Sequence, residues 1–308
     1  MPNVRMKDEI EESNRHLREA WKLYARVSPQ GEAFDRDGWS AANACQPWFF
    51  MNVGVLRGPV VDARDLQRRA RQATTYFAAR SNPWVLTASE GWFGENATSV
   101  LADVGLSYKL DLMGMATQRI SPPTRPLPDV RLRRIDDEVN RFALAHLNAD
   151  SYSVPREWGR QALGGAARWE SAIFGTIAYV RDEPASGAFA LLVDDALYIG
   201  WVATAKTHRG RGFAELVIRK CLEDARRATG LERTVLHATR DGQPCTSGWD
   251  IDAWSGSPST RRLTLNSRRV CIDDANCSPL PLSGSGNGCF RRILPVPVRS
   301  GAVGLGTG

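Results

Sequence analysis

Residues 209–212 read Arg-Gly-Arg-Gly, between an apolar run, ALYIGWVAT (196–204), and a helical run that begins near Phe213. That combination suits an anion. A helix start carries unpaired main-chain N–H groups and a partial positive charge, and glycine removes the Cβ that would keep a phosphate away from the backbone. Arg209 and Arg211 add charge to a turn whose amides, from Arg209 through Gly210, Arg211, Gly212 and Phe213 to Ala214, can cradle a diphosphate. Elsewhere the chemistry is thinly marked. His237, on the strand after the helix, and Glu170, ahead of an earlier strand, are the candidate bases; the sequence singles out neither, and the catalytic residue stays unassigned. Lys206 and His208 read as solvated cations beside the turn. Tyr198 and Trp201, on the strand that also carries Gly200, read as walls of a core or cleft.

The surroundings of the turn exclude several classes. It lacks the GxxxxGK[ST] spacing of a triphosphate loop, and it follows an antiparallel meander instead of opening a βαβ dinucleotide unit. The six cysteines fall at no zinc-ligand spacing and suggest no disulfide framework, so no metal is expected. A net charge of +6 over 308 residues is too diffuse to mark a nucleic-acid binder. Arginines 261, 262, 268, 269, 291 and 292 come in pairs, without interleaved aromatics, and rank last as a nucleic-acid surface. No run nears the roughly 20 apolar residues of a membrane span, and the charged start MPNVRMKDEI has no signal-peptide core. A cytoplasmic protein is the expectation.

The elements that must position the turn can be read by period. Apolar spacing predicts helices over 7–27 and 62–80, the second with Asp62 as N-cap, and strands over 47–56, 83–89 and 106–115. These make an N-terminal α/β domain, residues 1–120. Four prolines in SPPTRPLP (121–128) stop both helix and interior strand and mark a linker. A second domain, 129–244, restarts with a strand (130–135) and a helix (136–150). Strands at 171–180, 187–193 and 196–204 follow with short turns between them, which predicts a meander. A helix over 213–229 is closed by Gly230, and a strand covers 234–238.

With those elements around it, Arg209, Gly212 and Ala214 fill the fixed places of a Gln/Arg-x-x-Gly-x-Gly/Ala pattern, and the strand–loop–helix unit resembles motif A of the GNAT acyltransferase superfamily. The resemblance covers roughly residues 130–244. It implies a mixed α+β fold with a largely antiparallel sheet flanked by helices. Acetyl-CoA would be the cosubstrate and an amine, on a small molecule or a peptide, the acceptor. Val202, Ala203 and Thr204 would pair with the pantetheine arm on a strand splayed from its neighbour, and the 209–214 amides would hold the pyrophosphate. Residues 100–116 resemble the family's closing helix and strand, so the first domain reads as a diverged copy that lacks the glycine loop.

After 244 the resemblance stops. The family continues with a motif like V-Y-E-R-x-G-Y, whose tyrosine protonates the departing thiolate, but here the sequence is CTSGWDIDAWSGSPST (245–260). Synonymous codons for that stretch, preceded by one extra base and read in a shifted frame, give V-Y-E-R-M-G-Y-R-R-V-V-G-F-T-V-Y. A frameshift near Pro244 is therefore inferred, leaving 245–308 as an out-of-frame, disordered tail rich in Ser, Gly, Pro and Arg, with a genuine flexible tail as the alternative. Thr246 would stand where the tyrosine belongs, and the missing strands would leave a sheet edge unpaired. The expected function is direct N-acetyl transfer from acetyl-CoA. The alternative is a non-catalytic acyl-CoA-binding protein or an inactive frameshifted product.

Overall fold

The chain opens with a long amphipathic helix, α1 (Val4–Arg26), in which Leu17, Ala20 and Tyr24 recur at spacings of three and four and are fully buried. The structure is a computed structural model and describes residues 4–89, 91–169, 173–239, 242 and 262–267. After α1 come the hairpin β1 (Glu32–Arg36) and β2 (Trp39–Asn43), then β3 (Asn52–Leu56), α2 (Ala63–Ala78), β4 (Val85–Ser89), α3 (Ala97–Ala102) and β5 (Ser107–Thr117). The second half holds β6 (Arg131–Arg134), α4 (Glu138–Tyr152), α5 (Arg156–Leu163), β7 (Ile173–Val180), β8 (Glu183–Val193) and β9 (Ala196–Thr204). It continues with α6 (Phe213–Thr229), β10 (Thr234–Thr239) and β11 (Arg262–Ser267). The mixed α/β class is as expected. Among the described residues no helix is long and apolar enough to cross a membrane.

Among the described residues eleven strands form one sheet, in the order β1-β2-β3-β4-β11-β5-β10-β9-β8-β7-β6. Two neighbouring pairs are parallel, β3 with β4 and β9 with β10, each joined by a crossover helix, α2 or α6. The remaining pairs are antiparallel. Each half thus has the same plan: a meander, a parallel crossover and a later strand. The later strands interleave, since β5 from the first half lies against β10 of the second, and β11 from the second half lies between β4 and β5.

Three expectations need correction. Residues 47–51 are not strand: Phe49–Met51 form a single 3-10 turn, because the buried Asn52 side chain donates to the carbonyls of Gln46 and Pro83 and folds the backbone before β3. The edge of β10 is not left unpaired, because β5 covers it over Thr234–Thr239. Nor is the segment after 244 without strand: β11, RLTLNS, alternates apolar and polar residues and pairs on both sides. Thr246 and the rest of the inferred tail lie outside the described residues. The β1–β2 hairpin and α5 were not anticipated. The first had a signal in Asp37-Gly38, where Gly38 sits at φ +77°.

α1 and α4 cover one face of the sheet over a core that contains Leu17, Leu144, Phe189 and Tyr198. α6 covers the other through Phe213, Val217, Ile218 and Leu222, packed on Ile199 and Leu236. Polar pairs fasten α1 to the second half: Arg233 donates two hydrogen bonds to Glu12 at 2.9 and 2.8 Å, and His16 lies 3.1 Å from Asp195. The N-terminal helix is thereby part of the second half's structure.

Candidate functional site

β9 and β10 begin side by side and then part. Their pairing covers only Thr234–Leu236 against Leu197–Ile199. Past that point β10 follows β5, with His237 opposite Gly114, while β9 stays with β8. The fork opens a cavity of about 600 Å³ that runs from the amino end of α6 between the two strands. Cavity walls come from both faces of the sheet: Phe213 and Ile218 on one, Trp21, Tyr24 and Tyr152 on the other.

Of the residues singled out for the cosubstrate, Val202, Ala203, Thr204, Arg209, Gly210, Gly212, Phe213 and Ala214 line this cavity, and Arg211 does not. Gly210 and Gly212 hold φ at +71° and +85°, the left-handed region that side chains resist. A Cβ on Gly210 would project into open space, and one on Gly212 would come within 3.3 Å of Pro128. Gly212 is the N-cap of α6 and makes no side-chain cap; Leu216 is bonded to the Gly212 carbonyl, whereas the N–H groups of Phe213, Ala214 and Glu215 precede the first intrahelical bond. Arg209 does not point free. Its Nε donates to the Thr204 carbonyl at 3.2 Å and ties the loop to the end of β9. Arg211 lies over the Phe213 ring and beside His208, exposed.

β9 carries a bulge where it leaves the fork. Phe189 faces Gly200 and Gly187 faces Ala203, so Trp201 and Val202 together oppose Ala188. Trp201 takes φ +54° there. The fully buried Asn148 of α4 holds this geometry, its Nδ2 donating to the Trp201 carbonyl at 2.9 Å and to the Leu144 carbonyl at 3.0 Å. A trans peptide points its N–H opposite to its carbonyl, so the Val202 N–H faces away from Asn148. Further on, Ala205 donates to Ala185 of β8, and strand alternation turns the Thr204 main chain to the opposite side, where Arg209 meets its carbonyl. Ser186 accounts for the Ala203 carbonyl and the Thr204 hydroxyl at 3.0 and 2.8 Å.

The two candidate bases fare differently. Glu170 lies outside the described residues. His237 lines the cavity at the first β10 position past the fork, with both ring nitrogens engaged: Nε2 is 2.8 Å from Ser13 Oγ of α1, and Nδ1 is 3.1 Å from the Tyr198 hydroxyl. Burial, with a smaller contribution from nearby His16, pushes its pKa down to about 3 from the ordinary 6.5, so the ring is neutral at physiological pH. Burial also holds the Tyr198 hydroxyl well above its usual range, with the neighbouring Tyr24 and Tyr152 adding to the effect. A neutral histidine with both nitrogens occupied is a poor direct base, and no sequence pattern hints at those partners.

Sequence reasoning also missed Arg125. It belongs to the proline-rich stretch, read only as a connection, yet its guanidinium donates to the Gly210 carbonyl at 3.2 Å and lines the cavity. Arg219 of α6 reaches the Ser121 carbonyl at 2.6 Å, so that stretch is laid along the helix beside the glycine loop.

The equivalent crossover in the first half is sealed. The Asp62 side chain caps α2 by accepting from Asp65 N–H at 2.8 Å, and the Asp65 carboxylate accepts from Val61 N–H. Arg69 donates to the carbonyls of Gly38, Gly58 and Pro59. The stacked pair Phe77 and Trp84, with ring centroids 4.4 Å apart, fills the space beside Gly54.

The site is thus a forked parallel pair with an uncapped, glycine-led helix at its mouth. Residues 132–246 match the model of the acetyltransferase (GNAT) family. None of the curated proteins matches the chain in sequence. Among solved structures, it resembles a GCN5-related N-acetyltransferase from Kribbella flavida at 13% identity and a TM-score of 0.58, over 83% of this chain and 95% of that one. It also resembles a functionally unknown conserved protein from Staphylococcus epidermidis at 12% identity and a TM-score of 0.54, over 80% of this chain and 96% of that one. Likeness at such identity concerns the fold, and it extends well beyond residues 132–246 into the first half.

Proposed function

We propose that the protein transfers an acetyl group from acetyl-CoA to an amine by direct attack. The observation that carries this reading is the pairing of an uncapped α6 amino end, led by two left-handed glycines, with the unpartnered edge of β9 across the same cavity. The residues fit the group. Amides of 209–214, with the charges of Arg211 and Arg125, would take the pyrophosphate, and the β9 edge at Val202–Thr204 would pair with the pantetheine amides. The acetyl thioester would supply the acyl group at the vertex of the fork.

The chain's own groups prepare that vertex. Asn148 fixes the Trp201 carbonyl, which commits the Val202 N–H to the opposite side as a donor for an acyl oxygen. On the α1 face the cavity is walled by Trp21, Tyr24, Phe50 and Tyr152, which favours an acceptor whose amine is carried on an apolar body. The first half, in this reading, is a diverged copy of the same unit: its sealed crossover leaves it to pack and to wall the acceptor side through Phe50.

Titration calorimetry with acetyl-CoA, followed by thiol release on addition of arylalkyl and alkyl amines, tests the proposal. Binding with amine-dependent thiol release supports it. Binding without release for any amine leaves only a non-catalytic acyl-CoA binder, and no binding removes both readings.

A further inference from the structure

Six aromatic rings, those of Trp21, Tyr24, Phe50, Tyr152, Tyr198 and Trp201, line the cavity and belong to the core on the α1–α4 face of the sheet. They meet edge to face. Trp21 stands against Tyr24 and Tyr198 at centroid distances of 6.2 and 6.5 Å, Tyr24 against Trp201 at 6.2 Å, and Phe50 against Tyr152 at 5.3 Å. The Trp21 indole is fixed by donating to the Phe50 carbonyl. β9 is bare at Gly200, where a Cβ would stand 2.9 Å from the Tyr24 hydroxyl oxygen, so the strand lets that ring close the slot. Phe213 and Ile218, on the cosubstrate side, belong to the core of the other face.

Rings set edge to face offer a planar guest both faces and edges, and each such contact adds about 0.5–1.5 kcal/mol beyond burial. The titratable groups around this slot are uncharged at neutral pH. His237 has a pKa of about 3, and burial pushes the Tyr152 phenol up to about 12 and that of Tyr198 well above its usual range. His16 of α1, near His237, is held by Asp195. The other ionisable groups lining the cavity, among the described residues, stand at its α6 end: Arg125, His208, Arg209 and Glu215, the last paired with Arg219 at 2.8 Å.

An alkylamine, with a pKa near that of lysine, is unprotonated in only about one part in a thousand at physiological pH, and its ammonium form has no lone pair with which to attack. Aromatic faces attract that cation but cannot take its proton. An amine whose nitrogen is conjugated with an aromatic ring is planar and is unprotonated at neutral pH. Resting on the acetyl-CoA reading, we propose that the acceptor is an arylamine, its ring held in the aromatic slot between Trp21 and Tyr152 and its nitrogen at the vertex of the fork. The nitrogen lone pair bonds to the acyl carbon, the carbon–sulfur bond breaks with its electron pair on sulfur, and the proton shed by the nitrogen passes to that sulfur. The products are the N-aryl amide and the free thiol.

Thiol release by the full chain at saturating acetyl-CoA, with p-toluidine, benzylamine and cyclohexylamine as probes of similar size, tests the assignment, and calorimetry with acetyl-CoA runs alongside. At about pH 7, kcat/KM for p-toluidine should exceed that for either alkylamine about 100-fold. From about pH 6 to about pH 9 it should change less than about threefold, whereas the alkylamine values climb about tenfold per unit. Trp21→Leu and Tyr152→Leu should each raise KM for p-toluidine about tenfold and leave kcat within about threefold. A preference for benzylamine or cyclohexylamine, an unchanged KM in both variants, or no release with any of the three overturns the arylamine assignment and leaves the binding of acetyl-CoA standing. Absence of acetyl-CoA binding overturns both.

Discussion

Gly212 holds φ at +85° at the mouth of α6, a conformation that alanine enters at a cost of about 1–2 kcal/mol. Gly212→Ala should therefore rotate the turn, misdirect the Phe213 amide and weaken acetyl-CoA binding about tenfold, as read by calorimetry, with the fold intact. His237 makes a different single-residue prediction. Its pKa is about 3 in the fold against an ordinary 6.5. Above 6.5 the ring is neutral in both folded and unfolded chains and contributes no slope. Below that the unfolded chain binds a proton that the folded one refuses, so stability falls by up to about 1.4 kcal/mol per pH unit until the folded ring titrates. Urea unfolding at a series of pH values should show a shallower acid loss for His237→Gln than for the wild type. Equal slopes would mean that the ring is not buried neutral.

At the scale of elements, the β9 bulge depends on a helix it does not touch in sequence. Asn148→Ala removes the donor to the Trp201 and Leu144 carbonyls inside a fully buried site. Leaving a buried carbonyl unmet costs about 1–3 kcal/mol, which denaturant midpoints should register. Turnover, once an acceptor is in hand, should fall further than acetyl-CoA affinity if, as proposed, the Val202 N–H serves the acyl oxygen. Elements of this local kind were legible beforehand. The apolar run of β9 and the period of α6 gave their bounds, and Gly230, at φ +72°, ends α6 as a left-handed C-cap should. The 47–51 stretch was misread because aromatic and apolar residues suit a buried turn as well as a strand. Asn52, whose side chain decides the matter, marks neither. Contacts across the chain left no trace in the pattern: Ser13 and His237 are 224 positions apart, and nothing in α1 beyond an amphipathic stripe says that one polar position reaches the cavity. Arg125 was hidden for the same reason, since prolines around it describe only what its backbone cannot do.

For the whole molecule, one sheet runs through both halves, and the strands that close it are exchanged: β5 lines β10, and β11 lies between β4 and β5. A seam of that kind should make the two halves unfold together. Differential scanning calorimetry should accordingly give a single transition whose calorimetric and van't Hoff enthalpies agree; two resolved transitions would show that the halves are independent. The same sharing explains why the cavity draws on α1 and on Phe50, far outside residues 132–246.

Hydrogen exchange measured by mass spectrometry, with and without acetyl-CoA, bears most directly on the idea that main-chain donors at the helix mouth and along the forked strand grip the cosubstrate. Acetyl-CoA should slow exchange of the amides at 202–204 and 210–215 and leave α2 and the strands β1 to β3 unchanged. Unaltered exchange across 202–215, or protection confined to the first half, would contradict the account.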